Sequence, residues 1–558
     1  VDIPLTTRRA GRTGPRKETA VLEGCVPWPE EFARRYRREG YWLGRSLGEL
    51  FDTWCSAHPE RTALVCGSRR WTYRELHERV ARTAGGLRER GLGCGDRVLV
   101  QLPNTAEFVT ALCALLRIGA IPVLALTSHR RAELLELCRV SEAVAHLVPD
   151  RHRGHDHREE AARVRADAGG CLDVIVDGDP GVFTRLADVT GPPAPAAATD
   201  PGEVALFLLS GGTTGRSKLI PRTHDDYAYN VRITSDNAGL TPDDVYLCVL
   251  PASHNYALGC PGVLGALSRG ATVVLSDSAD AEDAFALVEE EGVTVTALVP
   301  SLAALWTEAA DLTHRDLSTL RLVQVGGSRA SADDVAETEL ALGCRVQQSF
   351  GMGEGILSQS GPDDSFGMRT TTQGRPLSPA DEVRVVDEDD RPLPACTTGR
   401  LQVRGPYTIR GYYRAEEANA AAFTPDGFLR TGDLARLTSY GHLVVEGRTK
   451  DVINRAGDKI AAAEVEDALT ALPSVRSCAV VAVPDPLLGE ASCAFLVCSG
   501  PPPSSEEVSR HLRSLGLAAF KVPDRIENVA ELPLTRVGKV DKEWLRRGLE
   551  DAADRGTR

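Results

Sequence analysis

The chain has 558 residues, 42% hydrophobic and 25% charged, which is ordinary for a folded chain with a substantial core and corresponds to about four domain-sized units. Its formal net charge of -14 argues against nucleic-acid binding and against an anionic membrane surface, so an anionic substrate must be drawn by local basic residues. Fourteen cysteines stand singly, without zinc spacing or C-x-x-C pairs, and no run approaches ~18 apolar residues; reduced buried thiols in the cytoplasm are the expectation.

Residues 1–26 read as an extended or disordered arm, rich in Arg, Thr and Gly at its start. From Pro27 the pattern turns helical, and Phe32, Tyr36 and Trp42 supply a docking face. Leu76, Val80, Ala84 and Leu87 recur at helical spacing, Asp96 to Leu102 reads as a strand, and Ala111 to Ile118 as another helix. Such alternation predicts parallel sheet with helical crossovers. The charged segment from Arg151 to Gly170 holds His152, His155 and His157, read as a solvated helix or loop. Pro192 to Ala198 is an extended connector. Ala271 to Leu275 and Val293 to Val299 read as buried strands, and strand formers and glycines dominate after Arg404. Beyond Gly447-Arg448-Thr449-Lys450-Asp451 a smaller α+β unit begins, with helices near Ala463 to Leu472 and Val508 to Leu515 and strands near Cys478 to Val483 and Ala494 to Val497. The tail, 551–558, is expected to fray.

The apolar run Val204 to Leu208 breaks into Ser210-Gly211-Gly212-Thr213-Thr214-Gly215-Arg216-Ser217-Lys218. Glycines free backbone N–H groups to converge, hydroxyls add donors and Lys218 adds charge, which suits a polyanion. The spacing of a P-loop fails, because Lys218 follows Ser217 and precedes Leu219. Read on through Leu219-Ile220-Pro221-Arg222-Thr223-His224-Asp225-Asp226-Tyr227, the string resembles the phosphate-binding signature of the adenylate-forming superfamily, and the resemblance extends from Pro27 to Glu550. It implies an α/β fold: a large N-terminal domain (27–449) of α/β subdomains with a strand-rich subdomain, and a small mobile α+β C-terminal domain (450–550).

The same resemblance implies roles. The loop would hold the β/γ-phosphates of ATP, with Thr214 and Glu354 holding Mg2+. Gly327, Phe350 and Gly351 would lie at the adenine, Asp433 would clamp the ribose, and Arg448 would add a cationic contact. In Leu534-Thr535-Arg536-Val537-Gly538-Lys539, Lys539 would be catalytic. A carboxylic acid is already ionised at neutral pH, so attack on the α-phosphate needs relief from charge repulsion rather than a base. Lys450 matches a hinge about which the small domain rotates between half-reactions, and Gly457 matches the glycine that faces the site in the thioester-forming state.

His254-Asn255-Tyr256, with Gly259 and Cys260, carries the substrate clue. Amino-acid-activating relatives usually have an aspartate where Asn255 stands; an amide instead resembles the 2,3-dihydroxybenzoate- and salicylate-AMP ligases, with His254 among the catalytic groups. Cys260 in place of serine, with Leu357, looks more like the salicylate type. Gly259, Gly353 and Ser349 imply a roomier pocket with one extra polar group, and Ser328 joins the substrate side. The expected substrate is a 2-hydroxyaryl acid such as salicylate, 3-hydroxyquinaldate or 3-hydroxypicolinate, with 2,3-dihydroxybenzoate as the alternative. The acceptor thiol belongs to the phosphopantetheine of an aryl or peptidyl carrier protein acting in trans, or to CoA. Two other classes compete. Gly326-Gly327-Ser328-Arg329-Ala330 narrowly misses the hydrolase elbow and has no supporting triad order. A regulatory nucleotide binder would not need Lys539, Asp433 and Glu354 together.

Overall fold

The computed structural model describes residues 22–210, 218–327, 330–455, 458–485, 488–515, 517, 519–535 and 538–556. Runs such as Val98–Val100 and Val174–Val176 are apolar on both faces and buried on both, which suits central parallel strands covered by helices. In the first sheet Arg97–Val100, Ile121–Leu124, Ala145–Pro149 and Asp173–Asp177 pair in parallel, with Val98 opposite both Pro122 and Ala145. Val204–Leu209 joins this sheet beside Ile121–Leu124, and Leu219–Thr223 closes the edge antiparallel.

The strand expected over Asp96 to Leu102 is four residues, Arg97–Val100. The next helix begins earlier than its apolar run, at Ala106, because the Thr105 side chain accepts from the Phe108 N–H and caps it; Gly119, at φ 73°, ends it. Tyr36 and Trp42 do dock: both are buried, Trp28 meets Trp42 edge-on at 5.1 Å, and the Trp42 indole donates to the Pro406 carbonyl at 2.8 Å. The Pro192–Ala198 connector lies against the large domain, with Ala194 N–H donating to Ala81 and Ala197 N–H to Arg117.

The histidine segment departs from the solvated reading. Arg151–His152 and His155–Asp156 form a short hairpin, and His157 opens the helix His157–Asp167 that packs over the sheet, so its ring is buried 4.8 Å from that of His155.

A second, nine-stranded sheet runs Arg375–Pro376, Gly355–Gln359, Arg345–Met352, Leu322–Gly326, Val295–Leu298, Val245–Cys248, Thr272–Leu275, Thr62–Cys66, Arg69–Thr72. Its middle is parallel; the last two pairings at the Arg375–Pro376 side and the last one at the Arg69–Thr72 side are antiparallel. Four antiparallel strands, Glu382–Val386, Gly399–Arg404, Leu429–Leu437 and Leu443–Arg448, form the strand-rich subdomain. The C-terminal unit is a five-stranded sheet, dominated by the Val475–Asp485 and Gly489–Cys498 pair, with helices Ala462–Thr470 and Ser505–Ser514 near the expected places. Its last helix, Lys542–Gly556, continues past residue 550, where fraying is expected from sequence. Among the described residues no helix is long and apolar enough to cross a membrane.

Candidate active site

Leu209 and Leu219 face each other across an antiparallel pair, which brings the two ends of the glycine-rich segment together. Its base is closed by Ser210 N–H donating to Lys218 O and Lys218 N–H donating to Ser210 Oγ, each at 3.0 Å. Gly211, Gly212, Thr213, Thr214 and Gly215 lie outside the described residues. Lys218 Nζ sits 4.7 Å above the Tyr412 ring, and the Tyr412 hydroxyl donates to Glu354 Oε1 at 2.9 Å. The phosphate loop and the proposed metal carboxylate are thereby joined through one tyrosine.

The strand Arg345–Met352 delivers Ser349, Phe350 and Gly351, and Phe350 packs partly against the core of the strand-rich subdomain. Asp433 and Arg448 are paired across two antiparallel strands, Arg448 Nε lying 2.9 Å from Asp433 Oδ1. Asp433 Oδ2 is buried without a protein partner among the described residues, the state expected of a carboxylate reserved for a ligand hydroxyl. Burial raises the Asp433 pKa, while Arg448 and then Lys539 pull the other way.

Lys539 reaches this cleft from the small domain. Thr535 N–H donates to Lys539 O at 2.6 Å and Lys539 N–H to Thr535 Oγ1 at 3.1 Å, closing a tight turn in which Gly538 has φ 78°. Lys539 Cε lies 3.7 Å from where a side chain on Gly327 would begin, and Val299 packs beside both Gly327 and Gly538. Surrounding protein and the charge of Arg448 lower the Lys539 pKa, with Asp433 and Glu354 opposing.

His254 caps the short helix Asn255–Gly259, its Nδ1 accepting from Tyr256 N–H at 3.2 Å. Its ring is exposed along the cleft yet crowded by protein atoms, and that crowding, with Lys539 as the neighbouring charge, lowers its pKa to about 4. At neutral pH it is an uncharged imidazole. The Tyr256 ring lies against Gly326, where a side chain would begin 3.0 Å from the phenol oxygen. Asn255 accepts from the Tyr227 hydroxyl at 2.9 Å and points its amide nitrogen at Cys260 Sγ, 3.6 Å away. Cys260 is buried, and its thiol is pushed up to about 11 by that burial.

The roomier pocket is not found at the two glycines. A side chain on Gly259 would begin 2.7 Å from the Tyr227 hydroxyl, and one on Gly353 would begin 2.9 Å from Ile220 Cδ1; tyrosine and isoleucine already fill those spaces. Ser349 Oγ accepts from Gln359 Nε2 at 3.0 Å, so part of its polarity is spent on the protein. Leu357 is buried, its N–H donating to the Tyr407 hydroxyl.

Lys450 lies in the single 3-10 turn Thr449–Asp451 between the two domains. Gly457 and Ser328 fall outside the described residues. Sequence reading passed over Tyr412 and Tyr227. Tyr227 stands inside the quoted string, but the partner that gives it meaning is 28 positions away; Tyr412 carries no signal of its own.

Comparison with known proteins agrees with this layout. The AMP-binding enzyme family matches residues 51–413, and the AMP-binding enzyme C-terminal domain matches residues 464–539. The chain is 47% identical over 531 residues to a 2,3-dihydroxybenzoate-AMP ligase of Bacillus subtilis (strain 168), covering 95% of this chain and 98% of that one. It is 48% identical over 526 residues to triostin synthetase I of Streptomyces triostinicus, covering 94% and 98%. A salicyl-AMP ligase / salicyl-S-ArCP synthetase of Mycobacterium tuberculosis is 46% identical over 538 residues, covering 95% of each. Among solved structures, apo MbtA of Mycobacterium smegmatis has a TM-score of 0.74 at 46% identity, covering 94% and 99%. ATP-bound MatB from Rhodopseudomonas palustris has a TM-score of 0.83 at 27% identity, covering 90% and 99%.

Proposed function

The chain belongs to the AMP-binding enzyme family, and we propose that it joins a 2-hydroxyaryl carboxylic acid to AMP and passes the aryl group to a phosphopantetheine thiol. One observation carries this reading. Lys539, His254 and the Asp433–Arg448 pair converge on a cleft whose acid-binding side presents the neutral amide of Asn255, where an amino-acid substrate would call for a carboxylate.

In the first half-reaction a carboxylate oxygen of the acid bonds to the α-phosphorus of ATP while the bond to the departing pyrophosphate breaks. Lys539 supplies positive charge where the two anions meet. The free Oδ2 of Asp433 suits a ribose hydroxyl. Glu354, an anionic oxygen ligand held by Tyr412, suits a hard divalent cation, and with Thr214 it would hold Mg2+. Magnesium, when bound, offsets charge on the phosphates. Neutral His254 can sit beside Lys539 without adding a second repelling cation.

In the second half-reaction the thiol sulfur bonds to the acyl carbon and AMP leaves. The likeness to a salicyl-S-ArCP synthetase of Mycobacterium tuberculosis supports a carrier thiol here, and CoA is the competing acceptor. Fourteen cysteines with neither zinc spacing nor C-x-x-C pairs support a reducing, cytoplasmic setting.

With the space at Gly259 and Gly353 filled by Tyr227 and Ile220, these two glycines give no support for a bicyclic acid over salicylate. ATP–pyrophosphate exchange should be measured with salicylate, 2,3-dihydroxybenzoate, 3-hydroxypicolinate, 3-hydroxyquinaldate and phenylalanine. Exchange with the best hydroxyaryl acid is expected to exceed that with phenylalanine by at least ~10²-fold, since an amino group would go unpaired. Equal rates would sink the proposal, and a strong preference for 2,3-dihydroxybenzoate would refute the reading of Cys260. Loading of phosphopantetheinylated aryl carrier protein against CoA then separates the two acceptors.

A further inference from the structure

We propose that Tyr227 is a positioning residue that fixes the Asn255 amide as a hydrogen-bond donor, so that the site selects acids whose group beside the carboxylate accepts a hydrogen bond. The proposal rests on the acid-activating reading above and names the chemistry of that substrate more narrowly.

Tyr227 lies on the helix His224–Asn237 and is wholly buried. Its hydroxyl is 2.9 Å from Asn255 Oδ1. A buried phenol keeps its proton and needs an acceptor for it, which burial reinforces by holding its pKa well above the ordinary value. Turning the amide over would aim N–H groups at the one acceptor that the phenol proton has among the described residues.

The other end of the amide meets a sulfur that can accept. Arg222, fully buried and paired with Asp226 at 2.7 Å, donates from Nη2 to Asn230 Oδ1 at 3.3 Å. A guanidinium cannot accept, so Asn230 must present its oxygen there and its NH2 group on the far side. That NH2 group donates to Gly259 O at 2.7 Å and points at Cys260 Sγ at 3.8 Å. Cys260 sulfur is therefore an acceptor at this point, and it meets the Asn255 amide nitrogen at 3.6 Å in the same sense. Oxygen toward Tyr227 and nitrogen toward Cys260 is the orientation that the Tyr227 proton calls for and that the Cys260 sulfur accommodates. A thiol is a weak acceptor, and it leaves the Asn255 N–H groups available to a better one.

Gly259 belongs to the same device. A side chain there would begin 2.7 Å from the Tyr227 oxygen and 2.9 Å from Cζ, so glycine is what lets the phenol reach Asn255. A phenolic oxygen or a ring nitrogen beside the carboxylate accepts a hydrogen bond; an aromatic amino group at that place offers N–H donors instead, facing donors with donors.

The test uses the full chain and pyrophosphate exchange, comparing kcat/KM for the best 2-hydroxyaryl acid with that for its 2-amino analogue, salicylate against 2-aminobenzoate in the first instance. The wild type is expected to favour the hydroxy acid. Tyr227→Phe frees the amide to turn its oxygen toward an amino group, and the hydroxy-to-amino ratio is expected to fall about tenfold, the worth of one oriented hydrogen bond. Gly259→Ala, which displaces the phenol but keeps it, should move the ratio the same way. Loss of activity on both acids by one common factor in Tyr227→Phe means a structural role only and overturns the proposal. Should Tyr227→Phe not fold, an unchanged ratio in Gly259→Ala overturns it equally. If the wild type exchanges with no hydroxyaryl acid, the underlying function fails, an outcome distinct from a normal wild type with an unmoved ratio.

Discussion

Glu354 is held at one oxygen by the Tyr412 hydroxyl, and the same ring lies under Lys218. A carboxylate that must receive a divalent cation gains from a partner that fixes its rotamer, and such supporting contacts are worth about 10- to 100-fold in metal affinity. Tyr412→Phe keeps the ring beneath Lys218 and removes only the hydrogen bond. The Mg2+ concentration giving half-maximal exchange is expected to rise about tenfold, while KM for the acid stays within about twofold. Removing Mg2+ with EDTA should abolish exchange in both proteins. An unchanged magnesium requirement in the variant would mean that Glu354 is held for another purpose.

At the level of the elements, the strand Ala145–Pro149 buries His146 in the middle of the first sheet, flanked by Leu99 on one neighbour and Val174 on the other. Neither ring nitrogen has a protein partner among the described residues, and burial, then the nearby His157, lowers its pKa to about 3. The unfolded histidine titrates near ~6.5, so between those values the unfolded chain binds the proton and the folded chain does not. Stability attributable to this group therefore falls as pH drops from ~6.5 toward ~3, by on the order of 1.4 kcal/mol per pH unit. His146→Leu removes both the titration and two unpaired nitrogens in a similar volume. It should be at least as stable as wild type at pH 7.5 in urea unfolding, and its advantage should widen steadily below pH 6.5. A constant difference between pH 7.5 and 5 would show that His146 finds a partner or a proton in the folded state. The same sheet shows what the chain's pattern conveys and what it hides. Val98–Val100 reads as a strand because burial on both faces demands uninterrupted apolar residues. The helix after it starts five residues before its apolar run suggests, because its first turn depends on the Thr105 cap. His157 reads as solvated because charged neighbours surround it in sequence; the helix it opens turns that one ring into the core. Gly259 and Gly353 suggest empty space only until Tyr227 and Ile220, 32 and more than a hundred positions away, are seen to fill it. Motifs whose members are contiguous were legible; contacts made across the fold were not.

Across the whole molecule, the small domain meets the cleft at Gly538 and Lys539 among the described residues. Lys539 faces Gly327, Ser301 Oγ donates to Gly538 O at 3.4 Å, and Val299 packs between Gly327 and Gly538. Near the single turn Thr449–Asp451 that joins the domains, Asp451 pairs with Arg546 of the last helix at 2.6 Å, tying that end of the turn to the small domain. So short a connection is suited to a turn of the domain, since a few backbone dihedrals can absorb the motion. Lys539 lies near Asp433, Arg448 and Glu354, and we assign this arrangement to the adenylate-forming step. Thioester formation needs an open path for a pantetheine arm, and we assign the rotation about Lys450 to that step. Two variants then separate the half-reactions. Lys539→Ala removes one preorganised cation from the first step and should lower pyrophosphate exchange by ~10²–10³-fold, while transfer from a preformed aryl-adenylate to a carrier thiol stays within a few-fold of wild type. Gly457→Leu should do the reverse, sparing exchange and impairing transfer, because a side chain at that glycine would obstruct the arm only after the turn. The pair must be read together in single-turnover assays. Loss of both half-reactions in both variants would mean that one arrangement of the domains serves both steps, and that Lys539 never leaves the cleft.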